Sequence, residues 1–96
     1  MIETREIVID GKKVVGLKVD LPGAPLLLLA APRGYIMCGY LNLGTAEKLG
    51  QAAAIVTGVK SFEDVLNAKV ASITTRAKQL GIREGMPGRE ALKLMF

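Results

Sequence analysis

Within Ile2–Leu21 two apolar sets, one on each side of a single turn, fall on odd numbers. Ile7 and Ile9 precede Asp10-Gly11, and Val15, Leu17, Val19 and Leu21 follow it. Side chains alternate between faces along a strand, so loop length alone decides whether the two sets meet. A two-residue loop sends them to opposite faces; an odd loop puts them on one. A hairpin with a single apolar face therefore calls for the three-residue loop Ile9-Asp10-Gly11. Gly11 would then be left-handed at a G1 bulge, a conformation glycine adopts without steric cost.

The next runs extend the sheet. Pro22-Gly23-Ala24-Pro25 is a turn or crossing, because its prolines remove ladder donors. Leu26–Ala30 is continuously apolar, as in a strand buried on both faces. Ala31-Pro32-Arg33-Gly34 fits a type I turn, with proline at its second position and glycine at its fourth. Tyr35–Leu41 reads as a buried strand running into a helix start at Asn42, whose side chain can accept a free N–H of the first turn. Gly39 on this strand leaves room for another backbone to approach. Four successive strands make an antiparallel meander the simplest sheet.

The second half reads as helical. Leu43, Ala46, Leu49, Gly50, Ala53 and Val56 form a stripe of small residues at helical spacing, predicting a helix over 43–56 stopped by Thr57-Gly58. Ser61 caps a short helix to about Asn67, with Glu63 and Asp64 in its first turn. Two readings compete beyond it. Phe62, Leu66, Val70, Ile73, Ala77 and Leu80 permit one long helix. The β-branched cluster Val70, Ile73, Thr74 and Thr75 favours a short fifth strand near Lys69–Ile73, followed by a helix to Leu80. Gly81-Ile82 ends that helix, and Pro87 opens a last one reaching Phe96. The fold class is α+β in a single domain over 1–96: a meander of about four strands, packed against helices from the second half.

Three stretches carry a family resemblance: Pro32-Arg33-Gly34-Tyr35-Ile36-Met37-Cys38-Gly39-Tyr40-Leu41, Thr45-Ala46-Glu47-Lys48-Leu49-Gly50, and the tail through Gly85-Met86-Pro87-Gly88-Arg89-Glu90. With them the chain resembles the YunC-like family of small bacterial and archaeal proteins, described as a domain of unknown function. The resemblance implies a compact α/β domain. It supplies no reaction, ligand, cofactor or catalytic residue.

Composition closes several routes. The 96 residues include no histidine and one cysteine, so there is no histidine base, no Cys-His dyad and no structural zinc site within one chain. A lone cysteine forms no internal disulfide, which together with the acidic N-terminus suggests the cytoplasm. No run approaches the ~20 apolar residues of a membrane span. The net charge of +4 is carried by scattered bases rather than a stripe, which argues against nucleic acid unless folding gathers them. Half the residues are hydrophobic, an excess that self-association would cover; a homo-oligomer is expected.

Cys38 is the sharpest candidate for chemistry. A reactive thiol needs a nearby cation or helix start, and Asn42, Arg33 and Lys48 are close in sequence. Its apolar neighbours equally suit a packed, inert thiol. Arg33, Asn42, Thr45 and Lys48 form the candidate binding set, with free N–H groups at Asn42–Thr45 for a small anionic ligand. Gly34, Gly39 and Gly44 match neither phosphate-loop pattern. The leading reading is an interaction or regulatory domain binding a small ligand or a protein. The alternative is a small enzyme using Cys38 as nucleophile or redox thiol; a second alternative is nucleic-acid binding through the scattered bases.

Overall fold

Asp10 and Gly11 alone make the first turn, with φ of 51° and 78°. The computed structural model describes residues 1–96. Positive φ at both central residues is the two-residue hairpin conformation that Asp-Gly favours, because its twist matches that of the flanking strands. Gly11 is left-handed as expected, but the three-residue loop is not formed. Strands β1 (Ile2–Ile9) and β2 (Lys12–Val19) pair with Ile9 opposite Lys12 and Ile7 opposite Val14. The two odd-numbered sets therefore lie on opposite faces. Val14 is buried, whereas Val15 is 56% exposed.

Strands β3 (Leu26–Ala31) and β4 (Gly34–Met37) complete the antiparallel meander. Pro32 and Arg33 join them, and Ala31 pairs with Gly34 as the turn requires. The sheet then continues with two strands more than the meander. Strand β5 (Ala53–Ile55) lies parallel to β4, and β6 (Ser72–Ile73) lies antiparallel to β5 on the edge. The short strand near Lys69–Ile73 is thus real and sixth in order. A further bridge joins Lys69 to Pro87.

The expected helix over 43–56 is instead a six-residue helix, α1 (Leu43–Lys48), followed by β5. Gly50 is what stops it. Its φ is 71°, its N–H reaches the Glu47 carbonyl, and the Gln51 N–H reaches that of Ala46. This is a Schellman closure, and it repeats at Gly81, whose N–H meets Lys78 while that of Ile82 meets Ala77. Ala53 and Ala54 are fully buried in β5, where their small volume lets the strand sit beneath covering helices.

The remaining helices are α2 (Phe62–Asn67), α3 (Thr75–Gln79) and α4 (Gly88–Lys93). Ser61 caps α2 and Thr74 caps α3. Thr74 is buried, and its hydroxyl also accepts the Ala53 N–H and donates to the Gln51 carbonyl, tying α3 to the start of β5. The main core lies between one sheet face and α2 and α4, built on Leu27, Leu29, Ile36, Val65 and Leu92. The C-terminus joins it: Met95 is fully buried and its carbonyl accepts the Arg33 N–H at 2.7 Å. On the opposite face α1 makes a smaller cluster in which Ala46 packs with Met37 and Ala53.

Candidate functional site

Joining β4 to β5 through α1 gives the one parallel connection in the sheet. In open sheets with such connections, ligands bind outside the carboxyl ends of the strands. Here that end carries a crevice of about 330 Å3. Its walls are Cys38, Gly39 and Tyr40 after β4, and Thr57, Gly58, Val59 and Lys60 after β5. Ala24 and Pro25, just before β3, close the third side, because antiparallel pairing brings the start of β3 to the end of β4.

Local hydrogen bonds hold these loops. The strand does not run on to Leu41: the Cys38 N–H still bonds the Leu27 carbonyl, and then the chain turns, with the Leu41 N–H meeting the Cys38 carbonyl. The Tyr40 hydroxyl donates to the Ala24 carbonyl at 3.1 Å and ties the first loop to the second. Gly58, with φ of 70°, bends the chain after β5. Asp64 then accepts the Lys60 N–H at 3.0 Å, anchoring the third loop to α2.

Two features set the chemistry of the crevice. The backbone N–H groups of Gly39, Tyr40, Thr57, Gly58 and Val59 donate to no other group of the chain. The only charged lining residue is Lys60. The rest of the wall is largely apolar or aromatic, with Pro25, Val59 and the half-exposed Tyr40 ring. Cys38 is 4% exposed, and its Sγ accepts the Leu27 N–H at 3.3 Å.

The other sequence-derived candidates are dispersed. Asn42 caps α1 by accepting the Thr45 N–H at 3.3 Å, so both serve the helix start. They border a separate groove beside α1, against Met37 and Leu49. Arg33 lies at the opposite end of β4 from Cys38, in a groove with Arg76 and Gln51. Lys48 is exposed in the last turn of α1. Gly39 has open space rather than an approaching backbone beside it. Sequence reasoning missed Tyr40, which the β3–β4 pairing sets against Ala24, and it missed Thr57, Gly58 and Lys60, because placing them depends on β5. The signal was present: Leu49-Gly50-Gln51 stops a helix as Leu80-Gly81-Ile82 does, leaving Ala52–Val56 as a short apolar run before Gly58.

Comparison with known proteins agrees with the fold. The model of the family described as "Domain of unknown function (DUF1805)" matches residues 37–95. The chain is 38% identical over 100 residues to the "Uncharacterized protein YunC" of Bacillus subtilis (strain 168), covering 100% of this chain and 99% of that one. A solved structure of a protein of unknown function, TA1206 from Thermoplasma acidophilum, is 40% identical with a TM-score of 0.95. That match covers 100% of this chain and 94% of the other.

Proposed function

The chain belongs to the DUF1805 family of YunC-like proteins, and on that premise we propose that it is a small cytoplasmic ligand-binding domain whose site is the crevice at the carboxyl ends of β4 and β5. The reading is carried by one observation. Five lining residues have backbone N–H groups with no partner in the chain, Lys60 is the one charged residue of the wall, and no carboxylate lines it. Such a lining favours a small anion, which would give the ammonium and the N–H groups it can reach a charge-assisted acceptor. The apolar remainder suits an anion with a flat or aliphatic body.

Isothermal titration with benzoate and inorganic phosphate, with benzamide as the neutral control, tests the reading. Benzoate should bind the full chain, and Lys60→Ala should weaken it about tenfold or more, the scale of a lost charged hydrogen bond. Absence of binding by both anions, or indifference to Lys60→Ala, would overturn it.

One observation favours thiol chemistry as a second reading: Cys38 forms part of the crevice wall. Its near-complete burial and its bond from Leu27 support packing instead. Self-association completes the proposal. The chain would act as a homo-oligomer, which agrees with the apolar surface the sheet leaves uncovered.

A further inference from the structure

Parallel pairing sets the start of β4 beside the start of β5, with Tyr35 opposite Ala53. Buried Thr74 brings α3 to the same place, since its hydroxyl accepts the Ala53 N–H and donates to the Gln51 carbonyl. Arg33, in the turn before β4, and Arg76 of α3 therefore line one groove of about 280 Å3. It lies at the opposite end of β4 from the crevice.

The charged and amide groups left free in this groove are donors. Neither arginine takes part in any ion pair of the chain, and no acid lines the wall. Arg76 gives one N–H to Gln79 at 3.1 Å and keeps the rest. Glu47, the acid bonded to the neighbouring Thr75, is engaged by the Thr75 N–H and hydroxyl. The Tyr35 hydroxyl donates to Gln51 Oε1, which leaves the Gln51 Nε2 amide without a partner in the chain. The backbone adds one more donor. N–H groups alternate in direction along an extended chain: that of Ala53 turns to Thr74, away from β4, so that of Ala52 turns toward the start of β4. The Ala52 carbonyl, on the same side, accepts the Tyr35 N–H at 3.1 Å, but the Ala52 N–H donates to no group of the chain. Ala52 is 2% exposed, and a buried N–H without an acceptor is rare.

We propose that this groove is a second binding site, for the phosphoryl group of a small phosphate monoester. Charge and oxygen count select that group. A carboxylate brings one negative charge and two oxygens. A phosphate monoester brings nearly two charges at neutral pH and three acceptor oxygens, a match for two guanidiniums, an amide and a backbone N–H. The planar fork of arginine meets two such oxygens at once, which an ammonium does not.

The inference is independent of the crevice, and the two sites answer to different substitutions. Amide chemical-shift titration of the full chain with phenyl phosphate tests it, at neutral pH and about 0.15 M salt, where loose attraction between exposed charges is screened. Saturable shifts are expected at Gln51 and Ala52. Arg33→Gln and Arg76→Gln should each raise the Kd about tenfold or more, the scale of a lost charged hydrogen bond, while Lys60→Ala leaves it unchanged. Both arginines are exposed, so the variants should fold, with circular dichroism as the check. Phenyl sulfate, of like shape but one charge, should bind more weakly. An unmoved Ala52 amide, an unchanged Kd in either arginine variant, or equal affinity for the sulfate would overturn the proposal. A response abolished by Lys60→Ala would place the phosphoryl group in the crevice, overturning this site and leaving the proposed function standing.

Discussion

Gly88 lies directly against the carbonyl oxygen of Val65: a Cβ built on Gly88 would overlap that oxygen. The Gly88 N–H meanwhile bonds the Ala68 carbonyl at 2.8 Å, so the start of α4 is locked onto the end of α2. The obstacle is backbone, which a rotamer change cannot relieve. Gly88→Ala should therefore lower stability by about 1–3 kcal/mol, the usual cost of overpacking a core, read as a shifted denaturation midpoint. An unchanged midpoint would mean the two helices are not in this contact.

The C-terminal residues should matter more than terminal position suggests. Met95 is fully buried, the Arg33 N–H bonds its carbonyl, and Phe96 packs against the core beneath the Lys12 ammonium at 5.2 Å. Removing Leu94–Phe96 should cost on the order of 2–5 kcal/mol, comparable with truncating a buried methionine. Thermal melts of the shortened chain that match the full chain would contradict the docking.

Lys93 joins α4 to the tip of the first hairpin. Its ammonium lies 2.9 Å from Glu90 and 3.4 Å from Asp10. The hydrogen bond to Glu90, then that to Asp10, holds its pKa above the ordinary 10.5. A raised folded-state pKa gives stability that is fully present below the unfolded value and is lost as pH rises through the folded one. The stability difference between the full chain and Lys93→Met should therefore be constant through neutral pH and shrink in the alkaline range above 10.5. A difference that grew with alkaline pH would have the wrong sign.

Cys38 should react slowly in the native state. At 4% exposure a thiol reagent must wait for an opening of the end of β4. Labelling should be slow in buffer and fast in denaturant. Rapid stoichiometric labelling of the native chain would favour the thiol-enzyme reading.

Local devices were legible in the sequence. Asn42 and Ser61 each cap a helix, as their side chains suggest, because an N-cap depends only on residues three apart; the cap of α3 was open between Ser72 and Thr74, and Thr74 fills it. Gly81-Ile82 closes α3 for the same reason. Ser72–Ile73 could be read as strand from its β-branched surroundings. Strand β5 could not. Ala46, Leu49, Gly50 and Ala53 fit a helical period, and alanine is the best helix former, so Gly50 passed as part of the stripe. A three-residue strand covered on both faces offers no alternation to read.

The first hairpin shows how a global assumption misled a local pattern. Asp10-Gly11 is a strong two-residue turn signal. It lost to the premise that a hairpin has one apolar face. The turn chemistry held, and the second apolar set, Val15 and Leu17, went to the opposite side. The crevice was illegible for another reason. Its walls come from three stretches, 24–25, 38–40 and 57–60: the β3–β4 pairing brings the first two together, and only the parallel pairing of β4 with β5 adds the third.

Amide chemical-shift mapping during a benzoate titration tests the proposed site most directly. Saturable shifts are expected at Gly39, Tyr40, Thr57, Gly58 and Val59, with their loss in Lys60→Ala. Shifts confined to the groove of Arg33 and Arg76, or to the α1 start at Asn42 and Thr45, with the crevice amides unmoved, would contradict it.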